Sequence, residues 1–201
     1  MNDIDKIIKD NKLKSKFNYL ADIYEKMIIN SEITIKYKVN NKKRIKIFGK
    51  IFVNKNKENF KIIIKGKESS LTSYLDINNI ELSNGMFEIK LTQRNNTANI
   101  SYMFSGYEEL VFIENIYNMN TSNIIYMSGL FGKYTWLTSL SDISKWNISK
   151  LKKMNNIFSN LPSLLSLPDI SKWNTKNVID MGLDFFVSAH CPILKVSAKK
   201  M

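Results

Sequence analysis

The side chains best suited to chemistry in this 201-residue chain are few, and their spacing argues against catalysis. The only histidine, His190, is followed directly by the only cysteine, Cys191. Sequence neighbours rarely converge as base and nucleophile, and no third group is placed to orient the base. A single cysteine also precludes an internal disulfide, so nothing demands an oxidising compartment. A metal site needs three or four ligands at suitable spacing, and no such cluster is present in the sequence. The 7 glycines form neither a G-x-G-x-x-G nor a Walker pattern, so no phosphate-cradling loop is expected. Asp142 and Asp169 suggest paired catalytic carboxylates only while their spacing is ignored. They lie 27 residues apart, and many other residues share that step.

Phe104, Phe131, Phe158 and Phe185 recur at the same interval of 27 residues. Ile100, Met127, Met154 and Met181 form a second column, and Leu110, Leu137 and Leu164 a third. Ile113, Leu140 and Leu167 follow, then Ile116, Ile143 and Ile170, then Met119, Trp146 and Trp173. Asn120, Asn147 and Asn174 close the series. Residues 140–147 and 167–174 differ only by Ser141 against Pro168. The chain thus carries three units, 97–123, 124–150 and 151–177, and a partial fourth that decays after Phe185. Residues recurring at a repeat step serve the same structural need in each unit, so Asp142 and Asp169 read as turn residues. Trp146 and Trp173 allow two readings, a stacked ligand-binding strip or core. Met119 in their column favours core. The asparagines are expected to turn the chain and to bond buried backbone groups in a ladder.

One such unit cannot bury its apolar positions alone, whereas stacked units share an interior. The spacing Leu151, Met154, Ile157, Phe158 predicts a helical turn or two in each unit, and Leu164, Leu167 and Ile170 an extended segment. Upstream, Leu13, Phe17, Leu20, Tyr24 and Met27 or Ile28 fall on one helix face and predict a helix over 2–30. Period-two alternation predicts strands at Ile33–Val39, at Ile45–Phe48 continuing through Ile51 to Val53, at Phe60–Ile64 and at Phe87–Leu91. Asn40-Asn41 and Asn84-Gly85 are the expected turns, and Ser69–Leu75 a turn or short helix. The expected fold class is α+β: an N-terminal helix (1–30) and small antiparallel β module (31–96), then a short leucine-rich-repeat-like solenoid (97–185) and a degenerate basic tail (186–201).

Net charge is +12, with 20 Lys+Arg against 11 Asp+Glu in residues 1–94 and 10 against 7 thereafter. The lysines alternate with apolar residues instead of running together, as a solvated sheet face would place them. Nucleic-acid or polyanion binding by the basic β module stands as the alternative function. No segment has the ~18 consecutive apolar residues that span a bilayer. The first residues lack the apolar run of a signal peptide, so a cytoplasmic location is the default expectation.

The segment from Leu164 through Leu167-Pro168-Asp169-Ile170-Ser171-Lys172-Trp173-Asn174 to Val178 and Met181 closely resembles the BspA-like leucine-rich repeat, the DUF285 repeat of bacterial surface proteins. The stretch Lys46-Ile47-Phe48-Gly49-Lys50, with Phe52-Val53 and Tyr74-Leu75, resembles the β module that precedes these repeats in some members. The resemblance implies a protein–protein interaction role, in some members adhesion at a cell surface, with no enzyme activity and no cofactor. This chain departs from the pattern in its small number of units, in Tyr107, Tyr134 and Leu161 standing where the family has cysteine, and in its decayed last unit. A truncated copy without retained binding is therefore a second alternative. The expected partner is another protein, held through Ser144, Lys145, Ser171 and Lys172 on a strand face. Self-association through an uncapped C-terminal end is a further expectation.

Overall fold

The computed structural model describes residues 15–16, 18–20, 23, 32–40, 42–78, 80, 82–106, 108–132 and 137–182. Most of the predicted N-terminal helix lies outside them, though residues 15–16, 18–20 and 23 are helical. Phe185, His190, Cys191 and the tail 186–201 also lie outside.

Alternating apolar residues build the expected strands β1 (Ile33–Lys38), β3 (Phe60–Ile64) and β6 (Met86–Gln93). Between them come β2 (Arg44–Lys46), helix α1 (Lys50–Asn56), β4 (Lys67–Ser70) and β5 (Tyr74–Asp76). Strand β7 (Leu110–Glu114) comes from the first repeat unit. A five-stranded antiparallel sheet has the order β4-β3-β6-β1-β7, and β2 pairs with β5 in a second, two-stranded sheet. Ile35 faces Ile89 on β6 and Ile113 on β7, so the first repeat is sewn into the module's own sheet.

Three local expectations are corrected. Strands β1 and β2 do not form a hairpin across Asn40; each pairs elsewhere. Ile51–Val53 belongs to α1, not to a strand, because helical spacing puts Phe52, Val53 and Asn56 together on the buried side. Of the stretch 69–75, residues 69–70 end β4 and 74–75 begin β5, so the connection is confined to 71–73 and no helix forms.

The fold class is also corrected. Among the described residues the named elements are mostly antiparallel β-strands, with one seven-residue α-helix and a short 3₁₀ turn at Ile116–Asn118, besides helical residues 15–16, 18–20 and 23. The α+β fold with a leucine-rich-repeat-like solenoid is not found. Past residue 118 no named strand or helix occurs among the described residues, only isolated parallel bridges joining Asn99, Tyr126, Lys153 and Asp180 in sequence. Tyr102, Gly129 and Asn156 occupy one repeat position, and all have left-handed φ values of 59°, 59° and 58°. A left-handed residue interrupts the right-handed turns that the apolar spacing suggested.

Each repeat instead forms an irregular layer hydrogen-bonded to the next. Ile100, Tyr102 and Phe104 donate their N–H groups to the carbonyls of Tyr126, Ser128 and Leu130, each at 2.9 Å. Met127, Gly129 and Phe131 donate in turn to Lys153, Asn155 and Ile157 at 3.0, 2.9 and 3.1 Å. Phe104 stacks on Phe131 and Phe131 on Phe158, with ring centroids 5.8 and 5.9 Å apart. The stack continues into the module, where Phe104 meets Phe48 at 6.0 Å, Phe48 meets Phe52 at 5.6 Å, and Phe52 meets Phe60 at 5.2 Å. Six aromatic rings thus run unbroken from the sheet into the third layer, in the offset and tilted arrangements that such pairs prefer.

Candidate interaction surface

Where a preceding layer would bond, the module supplies two residues. In later layers, the carbonyls at 126 and 130 accept N–H groups from the layer before. Their counterparts in the first layer, Asn99 and Met103, have no earlier layer. Asn56 of α1 donates from Nδ2 to the Asn99 carbonyl at 2.7 Å, and the Gly49 N–H donates to the Met103 carbonyl at 3.2 Å. Asn56 is fully buried and fully used: Nδ2 also donates to the Phe52 carbonyl at 2.9 Å, while Oδ1 accepts from Asn59 and Thr97. Gly49 is required for space. Its φ of −62° suits any residue, but a Cβ there would lie 2.1 Å from the Tyr102 carbonyl oxygen.

The aspartate columns prove to be turn residues. Asp142 Oδ1 accepts the Ser144 N–H at 2.8 Å, and Asp169 Oδ1 accepts the Ser171 N–H at 2.9 Å. These backbone bonds hold both carboxyls below their ordinary pKa. Ser144 is half-buried, while Lys145, Ser171 and Lys172 are exposed. All four sit in turns away from the parallel bridges, not on a strand face. The structure brings Lys145 and Lys172 into equivalent positions on adjacent layers, each beside the aspartate of its own turn.

Trp146 and Trp173 are buried and stacked, with ring centroids 6.3 Å apart and planes within 9°. Each indole donates to the preceding layer, Trp146 to the Ile116 carbonyl at 3.2 Å and Trp173 to the Ile143 carbonyl at 3.1 Å. They are core residues that tie layers together; Met127 and Met154 are also fully buried, and join layers through their backbone N–H groups. Met181, in the last described layer, is half-buried. Asn120, Asn147 and Asn174 are exposed. Each accepts through Oδ1 the N–H two residues on, at 3.1, 3.1 and 3.3 Å. The expected ladder on buried backbone is thus replaced by separate local turns, the arrangement short amide side chains favour.

Sequence reasoning missed the exposed tyrosines. Tyr102 and Tyr126 are each 39% exposed beside the first layer-to-layer bonds. The Tyr102 ring lies over Gly129, where a Cβ would come within 2.7 Å of it. An aromatic residue in the left-handed region, at a position where the other layers use glycine and asparagine, was the detectable signal. A cleft of about 290 Å³ is lined by Gln93, Arg94, Asn95, Asn96, Asn118 and Asn120. Gln93 is committed to the Asn120 backbone, and Asn96 accepts from the Asn120 side chain.

Of the lysines considered for nucleic acid, Lys36, Lys38 and Lys61 lie on the outer face of the large sheet, Lys46 is on β2 and Lys65 is in the turn after β3. Lys36 lies 3.8 Å from Glu88 and 3.5 Å from Glu114, and Lys90 donates to Glu32 at 2.8 Å, which raises the Lys90 pKa. Among the described residues, no group of three or more His, Cys, Asp or Glu is placed to hold a metal ion, and no helix is long and apolar enough to cross a membrane.

These features define a β-sheet protein extended by stacked 27-residue layers. A family model described as "Mycoplasma protein of unknown function, DUF285" matches residues 77–191, more than half of the chain, and the chain belongs to that family. Comparison with curated proteins and with solved structures gave no match.

Proposed function

We propose that this chain is a non-catalytic recognition protein that binds another protein through the turns of its repeat layers. The observation behind this reading is the repeated presentation of Asp142-Ile143-Ser144-Lys145 and Asp169-Ile170-Ser171-Lys172 in like turns of adjacent layers. Each turn is fixed by its own aspartate and anchored by a buried isoleucine. Side chains held this way lose little freedom on binding, and a partner spanning two layers meets the same chemistry twice. The neighbouring aspartates make this a mixed-charge surface better matched to a protein than to a uniform polyanion. The carboxylate pairing of Lys36 and Lys90 likewise weakens the nucleic-acid alternative for the sheet face.

The test is cross-linking capture from source lysate with the full chain and with a Lys145→Glu, Lys172→Glu double variant. Partners captured by the first and lost from the second, at unchanged thermal midpoint, support the reading. Equal capture by both removes the repeat turns as the recognition element. Self-association at the far end of the layers is read from the same preparation as concentration-dependent sedimentation.

A further inference from the structure

Residues 42–67, from the entry to β2 to the start of β4, hold ten Lys or Arg against one acid, Glu58. That net +9 is most of the chain's +12. Lys42 and Arg44 meet carboxylates of Glu109 and Asp76. Lys50, Lys55 and Lys57 are exposed, and among the described residues none of the three lies within 4.0 Å of a carboxylate. All three sit on or beside α1, whose opposite side is seated in the core through Phe52, Val53 and Asn56.

Helical geometry orders the exposed side. At about 100° per residue, Lys50 and Lys55 stand at the two margins of the solvent arc, with Asn54 and Ile51 between them. Ile51 is 50% exposed, an apolar tip flanked by lysines. This arrangement suits a lipid–water interface, where the apolar residue enters the acyl boundary and lysine stems extend toward the headgroups. It suits nucleic acid less well. Phosphates make no use of an isoleucine, and α1 exposes no aromatic ring for base stacking. Tyr74, on the adjoining two-stranded sheet, already has the Arg44 guanidinium 4.9 Å from its ring centroid.

We propose that the exposed face of α1, Lys50, Ile51 and Lys55 with Lys57, docks the protein peripherally on an anionic phospholipid surface. This docking is independent of recognition by the repeat turns, whose Lys145 and Lys172 lie outside the patch.

Vesicle co-sedimentation of the full chain tests it, comparing phosphatidylcholine alone with phosphatidylcholine containing about 30% phosphatidylserine. Binding is expected only to the anionic vesicles, and is expected to weaken as NaCl rises from about 0.05 to 0.5 M. Lysines near such a surface contribute roughly fivefold each, so Lys50→Glu with Lys55→Glu should weaken binding at least roughly 25-fold. Ile51→Asn should weaken it roughly fivefold at unchanged charge. A control pair, Lys38→Glu with Lys61→Glu, makes the same change in net charge on the sheet face away from α1 and should retain most of the binding. Equal loss in the control pair would assign the effect to net charge and overturn the site. Equal binding to neutral vesicles, or no binding to anionic vesicles at low salt, would overturn the proposal outright. Retention by a single-stranded oligonucleotide in place of vesicles would give the patch to nucleic acid instead.

Discussion

In the five-stranded sheet, β1 bonds to neighbours on both sides that arrive from distant parts of the sequence, β6 and β7. In the repeats, alternate residues of one layer donate to the layer one unit on, and among the described residues no named strand occurs past residue 118. The sheet gains its order from pleated alternation, each strand burying one face. A repeat layer gains its order from the layer beside it and has too little apolar surface to stand alone. The two regions meet where Asn56 and Gly49 take the place of a missing layer. The difference implies that the sheet can tolerate local damage, while an error in one layer spreads to its neighbours.

Phe131 offers the sharpest test, since it is stacked on both sides. Phe131→Ala should cost about 4 kcal/mol, read from a urea transition followed by tryptophan fluorescence, because all three tryptophans lie in the repeats. Loss of tryptophan order with far-UV circular dichroism retained would separate the two regions; coincident transitions would join them. Gly49→Ala forces backbone apart at the junction and should cost about 3 kcal/mol in the same experiment. Asn56→Leu leaves the Asn99 and Phe52 carbonyls and the Thr97 hydroxyl short of a partner, for about 2 kcal/mol. If the junction variants shift fluorescence and dichroism midpoints equally, sheet and layers fold as one unit. Trp146→Phe keeps an aromatic ring, though a smaller one, deletes the indole bond to the Ile116 carbonyl and should cost at least about 1 kcal/mol.

The smallest effect is acid-dependent. Asp142 and Asp169 have folded pKa values below their unfolded ones, so their contribution is complete above the unfolded value near 4 and fades as pH falls through the folded value. Asparagine at both positions keeps an acceptor for the turn and removes the titration. The double variant should therefore lose less stability than the parent between pH 5 and pH 2, as measured by thermal midpoints.

How much of this was legible follows from how each element is held. Ile33, Ile35 and Tyr37 alternate cleanly because β1 buries one face, so the sequence period is the structural period. The phenylalanine, methionine and tryptophan columns could be read because every layer reuses the same core positions. Helix α1 was hidden because Ile51, Phe52 and Val53 are consecutive apolar residues in a short element, where propensity points to a strand and tertiary contacts decide. Helical turns were expected in the repeats because apolar spacing cannot register a left-handed residue such as Asn156. Asn56 lies in a polar stretch without an apolar pattern to mark it; its part depends on Asn99, 43 residues away, which no local pattern encodes. The repeat step marked Asp142 and Asp169 as turn residues, but that Ser144, Lys145, Ser171 and Lys172 share those turns in place of a strand face follows only from the backbone bonds the aspartates accept.

The layer-to-layer bonds run both ways but from different positions: Ile100, Tyr102 and Phe104 donate to the following layer, while Ile125 and Tyr126 donate back to the Ala98 carbonyl. The stack therefore has a front and a back, and α1 fits only the front. A gene gaining or losing whole 27-residue units farther along would leave that joint untouched. Loss of a single residue inside a unit would set every later donor against the wrong acceptor, so variation in length is expected in complete units.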